Sequence, residues 1–108
     1  MKKLWLTMGL FAALTGACLA ADVKENWEKN CQKCHGADGK GQTKMGRQSG
    51  AKDYTDAKVQ EELKDDAAVK IIKEGVVDKG KKKMDPYGDK LNDDEIKALI
   101  AYIRAFKK

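Results

Sequence analysis

Histidine occurs once in this 108-residue chain, proline once and cysteine three times. A single histidine excludes any centre held by two imidazoles. Aromatic residues make up 6% of the chain, so a core must find apolar material elsewhere. No stretch of four residues shows the apolar–polar alternation of a half-buried strand, and the periodicity that is present is helical. There is no internal repeat, and no low-complexity tract beyond the lysine run at 79–83, KGKKK.

The one long uncharged run is Leu4 to Ala21, preceded by Lys2 and Lys3 and followed by Asp22 and Lys24. A short positive start, an apolar stretch and small residues before a charged sequence form the layout of a secretory signal peptide, with cleavage expected after Ala20. Two other readings exist: an uncleaved membrane anchor, or lipidation at Cys18 after the loose lipobox Thr15-Gly16-Ala17. The expected division is a signal peptide at 1–20 and one domain at 21–108. Without the two N-terminal lysines, 22 basic and 17 acidic residues become a net charge of +3. Acids and bases are interleaved, so a nucleic-acid footprint is not indicated. The exported part keeps only Cys31 and Cys34, and a disulfide closing so short a loop adds little stability.

The pattern predicts three main helices and a shorter one. The first runs from about Val23 to Cys34, with Asp22 and Glu25 spaced as a capping box and Val23, Trp27, Cys31 and Cys34 on one face. A short helix is expected at about Ala57 to Leu63. Another is expected at about Ala67 to Glu74, capped by Asp66 and stopped by Gly75. The last is the clearest: Asn92 and Glu95 form a capping box, Leu91 and Ile96 a hydrophobic staple, and Ile96, Leu99, Ile100 and Ile103 one apolar stripe. Asp93 and Asp94 in its first turn and Arg104, Lys107 and Lys108 near its end suit the helix dipole. Long glycine-containing connections at 36–50 and 75–91 suggest a small all-α fold closed around a bound object.

Residues 30–41 read NCQKCHGADGKG. Cys-x-x-Cys-His is the haem attachment pattern. Two thiols at a helix end can bond to two vinyl groups on one edge of a porphyrin, while the next residue offers its imidazole to the iron. A thioredoxin-type dithiol opens a helix after a strand, unlike this arrangement. Structural zinc takes four protein ligands, and only Cys31, Cys34 and His35 remain after cleavage. A haem would also supply the missing apolar burial.

These features together resemble the small bacterial class I c-type cytochromes with one haem. The resemblance covers essentially Asp22 to Lys108. It rests on Trp27 four residues before the first cysteine, CQKCHGADGKG, KKKMDPYGDKL and LNDDEIKALIAYIRAF. It implies a cytochrome c fold whose first and last helices cross through an aromatic pair, at positions matched by Trp27 and Tyr102. It also implies one covalent haem c, with Cys31 and Cys34 as thioethers and His35 as proximal iron ligand. Met84 matches the family's distal ligand; the plainer reading makes it a core filler. Met45, ten residues after His35, is the weaker candidate and reads as a surface or ring-edge residue.

The acceptor for the second nitrogen of His35 is open, because relatives use a proline carbonyl from the following loop and this chain has only Pro86. Arg47, Lys52 and Tyr54 are candidates for the haem propionates, or else ordinary loop residues. Tyr87 is expected to pack near the methionine loop.

With both axial positions filled, the expected function is a periplasmic, monomeric one-electron carrier and not an enzyme. Alternatives are a redox subunit of a larger dehydrogenase or oxidase complex, or a five-coordinate haem with peroxidase or gas-binding activity. Lys79, Lys81, Lys82 and Lys83 could dock acidic redox partners, or merely form a solvated loop.

Overall fold

The computed structural model describes residues 22–108. The expected leader at 1–20, its cleavage site and Cys18 lie outside the described residues. Helix α1 is already helical at residue 22 and continues through a π turn at Trp27–Cys31 into an α turn at Gln32–His35, where Gly36 stops it. Next come α2 (Lys44–Ser49), α3 (Ala57–Glu62) and α4 (Asp65–Glu74). Strands β1 (Val76–Asp78) and β2 (Lys81–Met84) form an antiparallel hairpin, and α5 (Asp93–Arg104) completes the chain. Among the described residues, no helix is long and apolar enough to cross a membrane.

The core is built from α1, α4 and α5. Trp27, Ala68, Ile72, Leu91, Ile96, Leu99, Ile100 and Ile103 are buried together. Each large apolar side chain removed from water this way stabilises the fold by about 1.5–3 kcal/mol. The α5 terminus forms as its sequence dictates: Asn92 accepts from the Glu95 amide at 2.8 Å, and Glu95 accepts from the Asn92 amide at 2.9 Å. The expected aromatic crossing is present, with Trp27 and Tyr102 ring centroids 5.3 Å apart and Phe106 5.2 Å from Trp27.

Three expectations are corrected. The segment expected to be strand-free carries the hairpin, in which Val76 pairs with Met84 and Asp78 with Lys81. Its turn is Lys79-Gly80, both at positive φ (52° and 77°), the conformation that matches hairpin twist. The 36–50 connection contains α2, capped by Thr43, whose side chain accepts from the Gly46 amide. Helix α4 starts at Asp65 after Lys64, so Asp66 lies inside its first turn instead of capping it.

Arg104 does more than face a helix dipole. It donates to the carbonyl and side-chain oxygens of Gln60 at 2.7 and 3.0 Å, to the Leu63 carbonyl and to Asp65. Gln60 is buried and satisfied in turn, donating to the carbonyls of Tyr54 (2.7 Å) and Ile103 (2.8 Å). This knot fastens α3 and the preceding loop to the end of α5.

Candidate cofactor site

The cysteine pair and His35 sit on a backbone whose carbonyls are met from several directions. The Thr43 hydroxyl lies 2.9 Å from the Lys33 carbonyl and 2.8 Å from that of Cys34. The Gly41 amide donates to the His35 carbonyl (2.9 Å), and the Trp27 indole donates to the Gly36 carbonyl (3.1 Å). A helix C-terminus leaves its last carbonyls without internal partners; here a hydroxyl, an amide and an indole take them up. Close packing with α2 adds to this, because a Cβ on Gly46 would run into the carbonyls of Cys34 and Gly41. Only glycine allows that approach.

Above this backbone the His35 ring lies between two aromatics, stacked on Tyr54 at 5.3 Å and tilted against Trp27 at 5.8 Å. Its Nδ1 is buried and, among the described residues, has no hydrogen-bond partner. Pro86 therefore does not serve it. Burial also lowers the histidine pKa, which favours the neutral imidazole that metals bind. Burial, and then the neighbouring Cys34, push the Cys31 thiol up to about 11. A reactive dithiol needs the opposite shift, towards a stable thiolate.

A cavity of about 410 Å³ opens beside these residues, within the range of cofactor pockets. Cys34, His35, Tyr54, Leu63, Ile71 and Met84 are among its lining residues, and the wall is mainly apolar. A smaller cavity of about 40 Å³ shares His35, Tyr54, Leu63, Ile71 and Met84 with it and adds Cys31 and Trp27. Helix α1 thus contributes the thiols and imidazole, and the end of β2 contributes a thioether to the same space. An apolar space bordered by those donors, with a neutral and unpartnered imidazole, fits a flat apolar metal cofactor bound through sulfur and nitrogen.

The remaining candidates separate. Lys52 and Tyr54 line the large cavity, while Arg47 is exposed and does not. Met45 is exposed and lines neither cavity. Lys83, expected only as part of a docking patch, lines the large cavity as well. The apolar lining from Val59, Leu63, Ala67, Ile71 and Val76 has no motif of its own in the sequence: the first four lie in predicted helices and Val76 in the 75–91 connection. Among the described residues, no cluster of three or more His, Cys, Asp or Glu could hold a metal without such a cofactor.

Known proteins agree with this geometry. Residues 19–103 match the family described as cytochrome c oxidase, cbb3-type, subunit III. The solved structure of KustC0563, a c-type cytochrome, is similar with a TM-score of 0.68 and 34% identity, over 79% of this chain and 96% of that one. A mutant of Kustc0563 is similar at 0.70 and 34%, over 80% and 99%. No curated protein matches. The chain belongs to the cbb3-type subunit III family and is a small c-type cytochrome, with covalently bound haem c and its iron.

Proposed function

We propose that this chain is an exported one-electron carrier in which Cys31 and Cys34 form the haem thioethers, His35 is the proximal ligand and Met84 the distal one. The observation that carries the reading is the shared cavity, which His35 borders from α1 and Met84 from β2. When bound, the haem supplies an iron that gains or loses one electron. The chain's own residues define how that iron is used. A thioether is a soft donor that favours the ferrous state. With His35 and Met84 both holding the iron, no position would remain for a substrate, and electron transfer would be favoured over catalysis. Leu63, Ile71 and Val76 give the cavity an apolar lining, and Lys52 and Lys83, which line it too, are proposed to meet acidic groups of the cofactor.

Partner docking is proposed for the hairpin. Lys79, Lys81 and Lys82 are exposed beside the cavity, although Lys82 is partly offset by Asp85 at 3.5 Å. Such a positive rim speeds encounter with acidic redox partners. Export with cleavage after Ala20 places the protein in the periplasm, and the mature N-terminus, read by sequencing, checks this. The name of the matched family favours a second reading, a redox subunit held by an oxidase; sedimentation of the native protein at its free mass would dismiss it.

The decisive measurement is optical. The oxidised protein should show a near-infrared sulfur-to-iron band, and the reduced protein should bind carbon monoxide slowly. Met84→Ala should lose the band and bind carbon monoxide quickly. A wild-type protein without the band, binding carbon monoxide at once, would establish the open-site alternative instead.

A further inference from the structure

The turn preceding the cysteine pair is wound differently from the rest of its helix. The Gln32 amide bonds the Trp27 carbonyl five residues back, whereas the Gly36 amide bonds the Gln32 carbonyl four back. Between those bonds, the four carbonyls of residues 28–31 face the three amides of residues 33–35. The change of winding therefore leaves one carbonyl over, and a shielded carbonyl needs a donor. Single π turns of this kind are rare and concentrate at functional sites.

One carbonyl of this turn receives a donor from far along the chain. The Tyr87 hydroxyl donates to the Asn30 carbonyl at 2.9 Å, across 57 residues. Tyr87 stands three positions after Met84. Its own main chain is pinned to a different helix: its amide bonds Ile72 (2.8 Å), and the Gly88 amide bonds Lys73 (3.1 Å), both at the end of α4. Its ring packs against the core. Among the described residues, the Tyr87 hydroxyl makes the one hydrogen bond from the 84–91 segment to α1.

We propose that Tyr87 is a positioning residue whose hydroxyl latches the Met84 segment to the helix of Cys31, Cys34 and His35, with the Asn30 carbonyl in the π turn as its receptor. The inference rests on the reading of Met84 as iron ligand. The hydroxyl, not the ring, carries the role. Phenylalanine keeps the packing and leaves the Asn30 carbonyl without its outside donor. The loss of one such bond raises the fraction of molecules with the segment released by roughly three- to tenfold.

The test uses the holoprotein as wild type, Tyr87→Phe and Tyr102→Phe, the last removing a hydroxyl for which no hydrogen bond is present. The near-infrared band of the oxidised form is followed through a urea titration beside far-ultraviolet circular dichroism, and carbon monoxide association to the reduced form is timed. In Tyr87→Phe the band should disappear at clearly lower urea while the helical transition moves much less, and carbon monoxide should bind roughly three- to tenfold faster. Tyr102→Phe should follow wild type in both. Wild-type behaviour of Tyr87→Phe overturns the latch, and so does an equal shift of band and helix, which would make the hydroxyl a general stabiliser. A wild-type protein with no band at all overturns the Met84 reading and the latch with it, a result visible before any variant is made.

Discussion

The two walls of the cofactor cavity are held in different ways. The α1 wall is built into the core: Trp27 is 1% exposed, touches three other rings and donates through its indole. The hairpin wall projects from the end of α4, with Val77 69% exposed and four lysines between residues 79 and 83. The core of the protein depends on the first wall, whereas the second is joined to it by a few local contacts. The difference teaches that the two walls of one cavity rest on separate energetic footings. Local opening free energies in one domain can differ in this way.

The largest expected effect follows from attacking the buried wall. Trp27→Ala should cost about 3–5 kcal/mol, with helix content and haem spectrum lost together in urea. Retention of the fold with only a shifted spectrum would break the comparison from that side. Next is Gly75→Ala at the root of the hairpin. Gly75 has φ 73°, and an added Cβ would strike the Met84 carbonyl. Positive φ with extended ψ, as here, is essentially a glycine conformation and costs another residue about 1–3 kcal/mol. The near-infrared band should weaken in buffer while the helical transition moves by less than for Trp27→Ala.

A smaller effect of opposite sign is expected at the hairpin tip. Lys79 occupies a left-handed position (φ 52°) that asparagine tolerates better. Lys79→Asn should raise the melting temperature slightly by calorimetry and leave the band unchanged. The smallest effect concerns an exposed tie outside both walls. Lys73 and Asp93 join α4 to α5 at 2.8 Å, and the hydrogen bond and charge of Lys73 lower the Asp93 pKa from its ordinary 3.8. A carboxylate depressed on folding contributes stability that is present above its unfolded pKa and lost as pH falls through the folded one. Asp93→Asn should therefore melt slightly below wild type at neutral pH, and the gap should close on acidification below the ordinary aspartate value.

Much of the first wall was legible in the sequence. CQKCH names its own chemistry, and the helix from Asp93 carries its cap, staple and stripe in full view. Trp27 and Tyr102 were placed by resemblance, and the rings meet. The second wall was not legible as structure. Val76-Val77-Asp78 and KKKM do not alternate, and Lys-Gly is a weaker turn signal than Asn-Gly. Helix α2 has a glycine at its centre and no apolar stripe, so its helicity comes from packing on the Cys34 backbone. The π turn leaves no residue signature. Arg104 was read locally because nothing in its neighbourhood announces a buried glutamine 44 positions earlier.

The knot between Gln60 and Arg104 also sets an order of events. A chain made from its N-terminus delivers Cys31, Cys34 and His35 long before Arg104. Until that arginine arrives, the Gln60 amide that meets the Tyr54 carbonyl lacks its own anchor, and Tyr54 is held by its amide bond to Gly39 alone. An element that fastens the pocket is thus among the last to be supplied, and the expected consequence is an interval in which the thiols are more open. Truncation before Arg104 should prolong that interval, measurable as greater thiol alkylation of the haem-free chain.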